Sequence, residues 1–121
     1  MKFCWTTLHV RDMKKSLKFY QKIVGLSIVR RMKPNPDMEI VFLGEGETQV
    51  ELISDNKSGN TVSVENISLG FDCGSLDKIK ENLEENNIPV HEGPFKPNPH
   101  IQFLYVLDPD GFKVQFVENI R

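Results

Sequence analysis

The second half of this chain restates the first, and that constrains its fold more than any other feature. Leu8 falls opposite Leu69 and Gly25 opposite Asn87. Val50-Glu51-Leu52 falls opposite Val114-Gln115-Phe116. The proline-containing stretches 33–37 and 94–99 also correspond. A repeat of about 60 residues marks two copies of one supersecondary unit. In each copy the helix covers one face of its own sheet, and the other face is left without a cover.

The local patterns give each copy its elements. Residues 2–10 read as a strand. Asp12 stands where an N-cap belongs, and Met13, Leu17, Tyr20 and Val24 recur at helical spacing up to Gly25, a C′ glycine. A strand over 26–32 follows, then a loop over 33–37, where two prolines work against regular pairing. Segments 38–43 and 48–53 form a hairpin around Gly44-Glu45-Gly46-Glu47. The second copy runs as a strand over 66–71, a Ser75-capped helix with Leu76, Ile79 and Leu83 on its inner stripe, a short strand over 90–93, a proline loop over 94–99, and a hairpin of 101–107 with 112–117. The hairpin turn Asp108-Pro109-Asp110-Gly111 combines a proline that presets φ, an aspartate able to bond the backbone two residues on, and a glycine free to leave the turn. The fold class expected is α+β. Two tandem βαβββ modules, 1–55 and 63–121 with a linker at 56–62, form a single domain, a curved mixed sheet around a cavity.

Composition narrows the partners. The net charge is −2 and the pI about 5.9, which argues against general nucleic-acid binding. No apolar run approaches the roughly 20 residues of a membrane span. Met1-Lys2-Phe3-Cys4-Trp5 leads straight into a strand, so no signal peptide is expected and a cytoplasmic location is. Cys4 and Cys73 form neither a CxxC pair nor a disulfide framework, and are expected as reduced, inert thiols on the helix side.

Strand alternation selects the residues of the open faces. With Leu8 and Val10 assigned to the helix side, Trp5, Thr7 and His9 face the other way. With Val50 and Leu52 inward, Gln49, Glu51 and Ile53 are left. With Ile67 and Leu69 inward, Asn66, Ser68 and Gly70 are left, and the last strand leaves Lys113, Gln115 and Val117. The repeat makes Trp5 equivalent to Asn66 and Glu51 equivalent to Gln115.

The run Leu8-His9-Val10-Arg11-Asp12 with Ser16-Leu17-Lys18-Phe19-Tyr20, the helix end Gly25-Leu26, and Asp108-Pro109-Asp110-Gly111 resemble the vicinal oxygen chelate superfamily, with a layout most like bacterial glyoxalase I. That superfamily includes bleomycin-resistance proteins and extradiol dioxygenases. The resemblance implies a divalent metal, nickel or zinc, held at four positions by His or Gln and Glu. Here those positions carry Trp5, Glu51, Asn66 and Gln115. An indole cannot ligate, and Gln cannot take a proton at neutral pH. One carboxylate with two amides suits a transition metal poorly, so neither a metal nor another cofactor is expected. The resemblance also implies a homodimer.

Each candidate has a plainer alternative. Trp5 is a ligand-facing plate or a core aromatic. His9 is an acid–base group or structural. Glu51 is a vestigial ligand, an acid–base residue or a hydrogen-bond acceptor. Asn66 and Gln115 orient a ligand or satisfy each other. Arg30, Arg31 and Lys33 form a basic cluster that meets an anion or only solvent, and His91 and His100 belong to the surface. The expected ligand-binding set is Trp5, Thr7, His9, Glu51, Asn66, Ser68 and Gln115, with Glu51 the catalytic candidate. The function expected is binding of a small organic molecule with the metal centre degraded. The alternatives are a glyoxalase-like lyase or isomerase acting on a small carbonyl or thiol adduct, with or without a divalent metal, and an interaction module whose cavity is a relic.

Overall fold

The computed structural model describes residues 1–57 and 62–120. It divides into two units, Met1–Ser63 and Val64–Arg121. Residues 58–61 of the expected linker lie outside the described residues.

The first unit runs β1 (Trp5–His9), α1 (Met13–Lys18), a π-helical turn (Phe19–Ile23), β2 (Ile28–Asn35), β3 (Met38–Leu43) and β4 (Gln49–Asp55). The second runs β5 (Ser68–Asp72), α2 (Leu76–Glu85), β6 (Glu92–Asn98), β7 (Ile101–Leu107) and β8 (Lys113–Asn119). Each unit is one four-stranded mixed sheet, ordered β1-β4-β3-β2 and β5-β8-β7-β6. The first strand pairs parallel with the last, and the rest are antiparallel. The expected α+β architecture of two tandem βαβββ modules is the one found.

The helices begin and end for the reasons read in the sequence. Asp12 accepts a hydrogen bond from the backbone N–H of Lys15, and Ser75 accepts one from that of Lys78. Gly25 and Asn87 both take positive φ, +83° and +57°, so the two helix ends carry matched left-handed residues. The first helix does not continue as an α-helix to Gly25: it widens into the π turn, where the N–H of Val24 reaches the carbonyl of Phe19.

α1 packs against β4 and α2 against β8. The first core gathers Leu8, Leu17, Tyr20, Val41, Leu43 and Leu52, and the second Leu76, Leu83, Leu104, Val106, Val114 and Phe116. Ile67, expected inward, precedes β5 and stands 54% exposed.

Both proline stretches depart from the loop expectation. Pro34 lies inside β2, and Pro94 and Pro97 lie inside β6. Each strand is the outer one of its sheet, so a missing N–H on the open edge breaks no ladder. The pairing register shifts between Met32 and Asn35, and on both sides of Phe95. Only Pro36-Asp37 and Pro99-His100 remain as turns.

Candidate functional site

Paired residues in neighbouring strands point to the same side, so the pairing register names the residues that share each open face. In the first unit one row crosses the sheet as Thr7, Glu51, Phe42 and Arg30. Glu51 is 9% exposed and accepts a 2.5 Å hydrogen bond from the hydroxyl of Thr7. Phe42 is buried between two plates of different kind. The Arg30 guanidinium sits 4.2 Å above its ring centre, and Trp5 meets it edge-on at 5.1 Å. Trp5 itself is 45% exposed, and His9 lies exposed at the far end of β1.

The corresponding row of the second unit is Gly70, Gln115, Tyr105 and Glu92. Tyr105 belongs to an aromatic stripe: Phe95 and Phe103 lie 5.6 Å apart, and Phe103 and Tyr105 5.9 Å, ring centre to ring centre. A Cβ added at Gly70 would stand 3.3 Å from Oε1 of Gln115, so the glycine leaves room for that carboxamide. Lys113 lies 5.1 Å over the Tyr105 ring and pairs with Glu92 at 2.5 Å. His91 reaches the same Glu92 oxygen at 3.6 Å. The hydrogen bond from Lys113 holds the Glu92 carboxyl below its usual range. A cleft of about 540 Å³ beside this row is lined by Asn66, Ile67, Ser68, His91, Leu107 and Lys113, among others.

The expected residues therefore fall into two groups. Trp5, Thr7, His9 and Glu51 share the open face of the first sheet. Ser68 and Gln115 share that of the second. Asn66 lies outside β5, in an exposed turn at φ +63°, and lines the 540 Å³ cleft with Ser68. The pairing also revises the equivalence of the two halves. With Glu51 matched to Gln115, Thr7 matches Gly70 and Trp5 matches Ser68 rather than Asn66. A slip of two residues keeps every side chain on the same face, so an alternation pattern is equally content with either register.

Several residues of these faces had no motif to announce them. Phe42, Phe95, Phe103 and Tyr105 read in the sequence as ordinary strand aromatics. Arg30 and Arg31 read as one cluster, yet they pair with Phe42 and Val41 and so project from opposite sides of the sheet. Cys4, expected on the helix side, is exposed. Cys73 is half-buried, and burial pushes its thiol up from the usual value.

The donors of either unit fit a transition metal poorly. The first unit offers the Glu51 carboxylate, already engaged by Thr7, on a face whose Trp5 cannot ligate, and the second offers the Gln115 carboxamide. Among the described residues no three His, Cys, Asp or Glu side chains gather as a metal site requires.

This architecture and sequence place the chain in a known class. The profile of the glyoxalase/bleomycin resistance protein/dioxygenase superfamily matches residues 2–116, and the chain belongs to that superfamily. Within it, the chain is 30% identical over 128 residues to the lactoylglutathione lyase of Haemophilus influenzae, a match covering 98% of this chain and 93% of that one. Among solved structures it resembles the trypanothione-dependent glyoxalase I of Leishmania major, with a TM-score of 0.82 at 21% identity over 98% of this chain and 86% of that one. It also resembles an antibiotic-binding protein from Streptomyces, with a TM-score of 0.74 at 21% identity over 98% and 96% of the two chains. At 21% identity those two likenesses speak for the fold. No helix among the described residues is long and apolar enough to cross a membrane.

Proposed function

We propose that this protein binds a small, flat organic molecule against the aromatic open face of its first sheet, without using a metal. The observation that carries the proposal is the Glu51 carboxylate, buried to 9% exposure, paired across the strands with Phe42, against which Trp5 leans, and oriented by Thr7. A carboxylate has about four acceptor positions and Thr7 takes one, so a ligand donor such as an amine, amide or phenol would find a partner there. Trp5, 45% exposed, supplies apolar contact area. The second unit offers polar contacts of its own, from Gln115 on its open face and from Asn66 and Ser68 at its cleft. His9 stands at the rim. The superfamily's bleomycin-resistance branch and the antibiotic-binding Streptomyces relative support this reading.

A second reading is a lyase or isomerase acting on a small carbonyl or thiol adduct, with Glu51 as the acid–base group. The 30% identity to a lactoylglutathione lyase favours it. In both readings the protein works as a cytoplasmic homodimer.

Trp5 is the single tryptophan, so its fluorescence reports on this face alone. The test is a titration with 2-naphthol and with proflavine, together with a lactoylglutathione lyase assay with and without added nickel or zinc. Saturable quenching that weakens in Glu51→Gln, with no lyase activity, supports the binding protein. Metal-dependent turnover that disappears in Glu51→Gln overturns it in favour of the enzyme.

A further inference from the structure

The side of the first sheet that carries its helix holds a basic groove. A groove of about 740 Å³ runs between the helix and the outer strand β2. It is lined by Lys14, Lys18, Gln21, Lys22 and Arg31, with Leu17 as floor and Glu39 as its one carboxylate. Four cations face one acid, in a chain whose net charge is −2. Lys14 and Lys18 have no ionic partner among the described residues. Glu39 accepts from Nε of Arg31 at 2.8 Å, which anchors that guanidinium and leaves its Nη groups for other acceptors.

The π turn explains why three lysines share this groove. Four residues of an α-helix overshoot one full turn by about 40°, so Lys14 and Lys18 are already offset, and a further α-helical step would carry Lys22 about 80° from Lys14. The wider i→i+5 turn over Phe19–Ile23 makes the next step of four fall short of a full turn instead. Lys22 thereby swings back toward the direction of Lys14. Phe19, Tyr20 and Ile23 meanwhile stay in the core.

We propose that this groove binds a phosphorylated small molecule carrying at least two negative charges. Arg31 would take one phosphoryl group through its planar fork, and Lys14, Lys18 and Lys22 would surround the remaining charge. The volume is that of a small-ligand site. The acidic chain and the shortness of the stripe fit a nucleic-acid backbone poorly.

The test uses the whole chain and sodium pyrophosphate as the probe, with ionic strength held constant by potassium chloride. Backbone amide shifts are followed by ¹⁵N NMR. Saturable, single-site shifts centred on Lys18, Gln21, Lys22 and Arg31 are expected. Binding should weaken at least about tenfold, or roughly 1.4 kcal/mol, in Lys18→Glu and in Arg31→Gln. It should be unchanged in Lys80→Glu, a charge reversal on α2. Shifts that grow linearly without saturating, or that survive unchanged in both groove variants, overturn the proposal. So does tighter binding of polyglutamate than of pyrophosphate, which would assign the groove to an acidic protein partner. The folded state of each variant is read from the same spectra.

Discussion

Thr7 donates its hydroxyl to the carboxylate of Glu51 across the parallel pairing of β1 and β4. The two residues are 44 positions apart in sequence, and each is the other's direct neighbour on the open face. The bond satisfies a buried acceptor and aims it. Thr7→Val keeps the shape and removes the donor. It should cost about 1–3 kcal/mol in urea unfolding, the usual penalty for a buried polar group left short of a partner. Thr7→Ser, which restores the hydroxyl, should recover most of that loss.

Phe42 is 3% exposed although it belongs to the open face, because Arg30 and Trp5 cover it. Phe42→Ala should destabilise the protein by about 3 kcal/mol or more, through lost burial and the cavity left behind. It should also shift Trp5 emission to the red, since the indole loses the ring it leans on. Phe42→Leu should retain much of the stability and still change the emission.

Asp108 is buried, and its Oδ1 accepts from the backbone N–H groups of Asp110 and Phe112, both at 2.9 Å. It thus closes the turn that aligns β7 with β8. Asp108→Ala strands two buried donors and should cost about 2–4 kcal/mol by chemical denaturation. Asp108→Asn keeps an acceptor oxygen and should cost less.

Glu92 titrates below the ordinary 4.5 because Lys113 donates to it. The folded pKa lies under the unfolded one, so the pairing is fully present above about pH 4.5 and is lost as pH falls through the folded value. A ¹³C NMR titration of the Glu92 carboxyl should show the low midpoint, and Lys113→Met should move it upward. The group is at the surface, so the midpoint is the readout rather than stability.

The two cysteines should separate kinetically. Cys4 is exposed, whereas Cys73 is half-buried with a thiol pushed above its usual value of 9.0 by burial, so less thiolate is present at a given pH. With a maleimide at neutral pH, mass spectrometry after digestion should find Cys4 modified first and Cys73 well behind. Unfolding in urea should bring the two rates together.

By itself the sequence determined the two βαβββ copies and the order of their elements. Asp12 and Ser75 start the helices, Gly25 and Asn87 end them, and the alternation of Val50-Glu51-Leu52 and Val114-Gln115-Phe116 assigns each strand an inner and an outer face. These are local effects of capping, backbone conformation and side-chain period, and a linear text carries them. The same alternation put Trp5, Thr7, Glu51, Ser68 and Gln115 on open faces. Only tertiary structure decided the rest. Proline in β2 and β6 is tolerable because those strands are edges, and edge status is a property of the assembled sheet. The match of Trp5 with Ser68 depends on pairing register, to which a period of two is blind. The neighbours of Glu51, namely Thr7 and Phe42, come from two other strands, and Arg30 reaches Phe42 from a third. The π turn over Phe19–Ile23, which buries Phe19, Tyr20 and Ile23, leaves no mark in composition or spacing, because it consists of a backbone bond from Val24 to Phe19 that any side chains could accompany.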